Sequence, residues 1–154
     1  MPKLDIEAIP QSNATGYPAP FDEAVQGRWW RRLAPAAGLT QMGASHVVLK
    51  PGAWSSQRHW HEGEDELLIM LSGEAVLIED GGETIMRPGD VAAWPAGVHN
   101  GHHLVNRTDS DCVFVAIGTG DRSKGGGYSD IDMTFTDDGY FHKDGTPYPT
   151  TRLI

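Results

Sequence analysis

Cysteine is all but missing from this chain. The one thiol, Cys112, cannot close an internal disulfide, and it sits in the apolar run CVFVAIG, where a buried and unreactive sulfur is expected. Long hydrophobic runs are missing too. The longest, LLIML, falls far short of the ~20 residues a membrane helix needs, and the opening MPKLDIEAIP holds no apolar stretch of the kind a secretion signal carries. No membrane partner and a cytoplasmic setting are therefore expected. Positive charge is scarce: 12 Lys and Arg against 21 Asp and Glu leave a formal net charge of -9. Such a balance repels a phosphate backbone, so no nucleic-acid partner is expected. Repeats at a fixed period and low-complexity tracts are absent as well.

Turn residues, by contrast, are plentiful. With 19 glycines and 10 prolines, few windows are long enough for a helix. Between the turns lie short apolar or alternating runs: SHVVLKPG, ELLIMLSGE, AVLIEDGGE, TIMRPGD, VAAWPAG, HHLVN and CVFVAIGTG. Strand-like pieces this evenly spaced predict an all-β sandwich or barrel. The pair around Asp80-Gly81-Gly82 predicts a hairpin, because these residues tolerate the positive φ angles of a tight turn. The length of 154 residues and 39% hydrophobic content fit one domain spanning 1–154, with its core over about 40–120. Residues 1–39 then form an N-terminal arm and an edge strand, and 121–154 a C-terminal extension. Within the extension DRSKGGGYSD reads as linker, and MTFTDDGYFHKDGTPY as hairpin-like structure with turns at Asp138-Gly139 and Lys143-Asp144-Gly145. In RWWRRL, Arg28 to Leu33, the tryptophans are expected to pack while the arginines stay in water, or the whole segment to serve as a subunit contact.

The stretch HWHEGEDE carries the chemistry. On a strand, residues i and i+2 share a face, so His59 and His61 project together and Trp60 points away. Glu66 heads the apolar strand ELLIML, where an inward carboxylate is costly unless it is paired or bound to a cation. Glu62, Glu64 and Asp65 read as solvated turn charges. A third histidine would complete a metal site, and PAGVHNGHHLVN offers His99, His102 and His103. Adjacent His102 and His103 face opposite ways on a strand.

Taken together these residues resemble the cupin superfamily, small β-barrels that include germins and many metal-dependent dioxygenases. The family's first motif runs Gly, five residues, HxH, three or four residues, Glu, six residues, Gly. Here it reads Gly52, six residues, His59-Trp60-His61, four residues, Glu66, six residues, Gly73. The second runs Gly, five residues, PxG, two residues, His, three residues, Asn. Gly89 and Pro95-Ala96-Gly97 keep it, and His102 to Asn106 keeps its end, with two extra residues between. His99 falls one residue early for the spacing from Gly97, whereas His102 has the downstream spacing and the inward parity.

The resemblance implies a jelly-roll barrel, a double-stranded β-helix, in which His59, His61, Glu66 and His102 hold one divalent transition metal: Fe, Mn, Ni or Zn. His99 is the alternative third histidine. Trp54, Gln57, Met70 and Trp94 are the candidate pocket residues, Arg58 and Trp60 face away, and a mostly apolar pocket favours a small organic molecule over a sugar phosphate. Two classes of function follow. One is a metal-dependent oxygenase or isomerase; the other is non-catalytic binding or sensing of a small ligand, or a metal that only holds the fold. A homodimer is expected.

Overall fold

In the computed structural model, which describes residues 2–149, the turn-rich sequence folds into a jelly-roll β-barrel of two facing walls. Among the described residues helix is confined to Leu33–Ala36 and three single turns of 3-10 helix. The strands are β1 Arg28–Arg32, β2 Gly43–Leu49, β3 His59–His61, β4 Glu64–Ser72, β5 Ala75–Glu79, β6 Gly82–Met86, β7 Val91–Trp94, β8 His103–Val105, β9 Cys112–Gly120, β10 Gly126–Tyr128, β11 Thr134–Thr136 and β12 Gly139–Phe141. One wall is a five-stranded antiparallel sheet in the order β1-β2-β9-β4-β7. The other joins β12-β11-β10-β3 to β8-β5-β6 through isolated bridges, His59 to His102 and Trp54 to Val105.

Alternation along the strands sorts side chains between core and surface. On β4, Leu68 and Met70 face in and are buried, as are Val47 and Leu49 of β2 and Phe114 of β9. Each fully buried Leu or Met contributes about 1.5–3 kcal/mol of transfer free energy. The expected hairpin is β5 to β6, where Glu79 pairs with Gly82 across Asp80 and Gly81. Gly52, Gly73, Gly89 and Gly97 all take positive φ, the backbone conformation that makes glycine the fitting residue at these turns. Asn106 is fully buried: its amide donates to the carbonyls of Leu49 and Ser110, and its oxygen accepts from the Thr108 amide and hydroxyl.

Two expectations need correction. The stretch read as linker forms β10, wedged between β3 and β11. Its glycines, which weakened the strand signal, are what let it lie so close: a Cβ on Gly127 would stand 2.4 Å from the Trp60 ring. The arginines of RWWRRL do not all stay in water: Arg28, on the inward parity of β1 with Trp30 and Arg32, is half-buried, and the Arg31 side chain beside Glu7 is only 13% exposed, whereas Arg32 is exposed. Arg58 turns away from the histidines. It forks onto Asp130 at 3.0 Å and also meets Asp80 and the Gly101 carbonyl, tying the β10 region to the barrel. The N-terminal arm lies on its own chain: Ser12 bridges to Trp30, and Tyr17 and Val25 pack with Tyr128 and Met133. The last five residues of the C-terminal extension, 150–154, lie outside the described residues.

Candidate metal centre

The short strand β3 presents His59 and His61 on one face. Its backbone fixes a third imidazole, because His59 and His102 exchange amide–carbonyl hydrogen bonds of 3.3 and 3.0 Å. Glu66 reaches the same point from the inward face of β4, where it pairs with Trp94 and Gly118. Ligand-capable atoms of His59, His61 and Glu66 lie within 4.8 Å of one another. His102 joins them through Glu66, its Nε2 standing 3.2 Å from Oε1. His61 Nε2 is 3.0 Å from Glu66 Oε2 and 3.2 Å from His59 Nε2.

Neighbouring groups turn the Nε2 atoms of His59 and His102 towards this centre. His59 Nδ1 donates to the Gln57 carbonyl at 2.9 Å, and His102 Nδ1 to the Asn100 carbonyl at 3.0 Å. Such bonds fix the tautomer and leave the Nε2 lone pair free. The Trp94 indole lies flat on the His102 ring, and its Nε1 donates to Glu79 at 2.7 Å. Two facing imidazole nitrogens at 3.2 Å are favourable only with a proton or a cation between them, and three such nitrogens with one carboxylate suit a borderline divalent ion. The residues present therefore fit a metal.

Protonation follows the surroundings. Burial pushes His59 down to about 4, against the pull of Glu66. For His61 burial also works against charge, but the neighbouring carboxylates of Glu64 and Glu66 outweigh it and hold the ring up to about 9. Glu66 is buried, which alone would raise it, yet His102 and His61 keep it well below the usual carboxylate range. Glu64 corrects the reading of the acidic run as solvated turn. β4 begins at Glu64, so this acid shares the parity of Glu66, and its side chain, 14% exposed, lies 3.5 Å from His61 Nδ1. Glu62 and Asp65 are exposed: Glu62 pairs with His99, and Asp65 accepts from the Ala96 amide.

His99 stands apart from the cluster, stacked on Trp60 at 4.7 Å on the surface loop that holds the two extra residues. His103 faces away and is buried, with Nδ1 donating to the Ser56 carbonyl and its ring edge-on to Trp54. A cavity of ≈370 Å³, of a size for a small metabolite, opens beside the cluster. His59, Glu66 and His102 line it together with Arg28, Trp30, Arg32 and Tyr140. Trp54, Gln57, Met70 and Trp94 are not among its lining residues. Met70 is core, Gln57 binds the Phe21 carbonyl and the Tyr17 hydroxyl, Trp54 packs on His103, and Trp94 supports His102. Sequence reasoning missed Arg28, Trp30, Arg32 and Tyr140 because these lining residues come from β1 and β12, outside the motif stretch. The parity of RWWRR, with Arg28, Trp30 and Arg32 on one face, was the available signal.

Residues 45–118 match a family model described as the cupin domain. A crystal structure of a sugar phosphate isomerase of the cupin superfamily from Silicibacter pomeroyi is 43% identical and covers 96% of this chain and 97% of its own, with a TM-score of 0.90. A Cupin 2 conserved barrel domain protein from Salinispora arenicola is 26% identical, with 77% of this chain and 87% of its own covered, at a TM-score of 0.56. The oxalate-binding protein of Thermotoga maritima is 33% identical over 73 residues, 47% of this chain, and the chain spans only 58% of that relative's length.

Proposed function

The chain belongs to the cupin superfamily, and on that premise we propose that it is a metal-dependent isomerase acting on a phosphorylated sugar. The observation that carries this reading is the placement of Arg28 and Arg32 on the cavity that borders the histidine–glutamate cluster. Among the described residues neither arginine has a carboxylate within 4.0 Å, in a chain whose net charge is -9. Two unpaired cations facing a small cavity suit an anionic substrate, which reverses the sequence-based preference for a small organic molecule over a sugar phosphate. The Silicibacter pomeroyi relative, similar over nearly the whole chain, supports the same substrate class.

On this reading His59, His61, Glu66 and His102 hold one divalent metal, of the group Fe, Mn, Ni and Zn. Such an ion would polarise the substrate's carbonyl and hydroxyl oxygens. The chain's own groups do the rest: Nδ1 hydrogen bonds and the Trp94 stack hold the imidazoles, Arg28 and Arg32 draw the anion in, and the apolar wall of Trp30, Leu68 and Phe114 limits water. The compartment proposed is the cytoplasm, which a lone thiol suits. We also propose a homodimer through the outer face of the five-stranded sheet, where Leu67, Ile69, Val113, Val115 and Ile117 form an apolar surface.

The test is an assay of metal-quantified protein against a panel of aldose and ketose phosphates. Turnover that disappears on chelation and in His61→Ala is expected. Absence of turnover on every sugar phosphate, at stoichiometric metal and with tight binding of oxalate, would overturn the reading in favour of a ligand-binding role like that of the Thermotoga maritima relative.

A further inference from the structure

We propose that Arg28, with the Tyr140 hydroxyl beside it, is a subsite for the phosphoryl group of the substrate, built from segments outside the stretch that matches the cupin domain. The substrate's identity rests on the isomerase reading; oxyanion binding at Arg28 does not. Arg28 points inward from the start of β1, half-buried, and its Nη1 donates to the Ser55 carbonyl at 2.8 Å. Its Nε is buried without a partner, and among the described residues Nη2 has no hydrogen bond either. Burial lowers the guanidinium's affinity for its proton, and the groups nearest in charge are the phenols Tyr17, Tyr140 and Tyr128, not a carboxylate.

A cation held half-buried without a counter-ion is unfavourable, and an anion entering the cavity supplies the missing charge. Arg32 is different. It is exposed, lies over Trp30 at 4.7 Å and also lines a second opening towards Leu39 and Met42. The phenols are joined: Tyr128 donates to the Tyr17 hydroxyl at 3.2 Å, and Gly16 of the arm leaves room for the Tyr140 ring, which a Cβ there would approach to 3.2 Å. Arm, β1 and β12 thus close one end of the cavity around Arg28. A guanidinium edge and a hydroxyl offer donors for more oxygens than a carboxylate has, which favours a phosphoryl group.

The experiment titrates inorganic phosphate, with acetate as the carboxylate probe, against the full chain as purified and after chelation, reading the chain's tryptophan fluorescence, to which Trp30 in the cavity wall contributes. Saturable phosphate binding that survives chelation is expected, weakened at least about tenfold by Arg28→Gln, less by Tyr140→Phe and unaffected by the surface control Arg107→Gln. Circular dichroism checks that each variant is folded, and Arg28→Lys, which keeps the charge, recovers part of the affinity. Equal phosphate binding by Arg28→Gln and the parent, or acetate bound as tightly as phosphate, overturns the subsite. Arg28-dependent phosphate binding without sugar phosphate turnover keeps the subsite and removes the isomerase reading. Turnover whose KM is unchanged by Arg28→Gln does the reverse.

Discussion

The Trp94 indole lies on the His102 imidazole with ring centroids 3.7 Å apart and planes 3° from parallel. Trp94 is thus the floor that sets the angle of His102, while Glu79 anchors the indole from behind. Trp94→Ala is expected to lower stability by about 3–5 kcal/mol and to weaken metal binding by about 10- to 100-fold. Trp94→Phe, which keeps a ring but loses the bond to Glu79, should retain most of the metal. Urea unfolding and metal titration separate the two effects.

Asn106 holds four hydrogen bonds in a fully buried position. Replacing it by Leu leaves the Leu49 and Ser110 carbonyls without those donors, so Asn106→Leu should cost about 3 kcal/mol or more. A thermal midpoint within a degree or so of the parent's would contradict this.

Metal uptake should release a proton. In the metal-free cluster, the carboxylates of Glu64 and Glu66 overcome burial and hold His61 up to about 9, so the ring is charged at neutral pH. Binding requires the neutral ring. Close to one proton should therefore leave His61 on uptake at neutral pH, falling to half near about 9 and to none well above it. Calorimetric zinc titrations in buffers of different ionisation enthalpy read this number directly.

Outward-facing Ile69 and Val115 sit opposite each other on neighbouring strands of the five-stranded sheet. Ile69→Asp and Val115→Asp should turn the proposed dimer into a monomer in light scattering, with the fold retained. A parent chain that is already monomeric at micromolar concentration sinks the proposal.

Most of the barrel was legible because half-buried strands must alternate and tight turns must carry glycine or proline. ELLIMLSGE and CVFVAIGTG became the adjacent strands β4 and β9, and Gly52, Gly73, Gly89 and Gly97 mark turns with positive φ. What stayed hidden has a physical reason in each case. β10 carries glycines because it packs under Trp60, and a strand of two glycines and one tyrosine gives no periodicity to read. Glu64 looked like turn charge because the start of β4 was placed too late. Arg28 looked wet because charge usually is, and only the barrel's closure by the arm and β12 shows why an edge strand can face a cavity on its inner side. Residues such as Met70 shared the inward parity, yet parity alone does not say how deep along a strand the cavity reaches.

The most direct test of the central claim is metal content by mass spectrometry for the purified parent, His61→Ala, His102→Ala and His99→Ala. The account predicts about one equivalent of a divalent transition metal in the parent and in His99→Ala, whose ring stacks on Trp60 away from the cluster, and loss of most of it in the other two. Full metal in His61→Ala would contradict it.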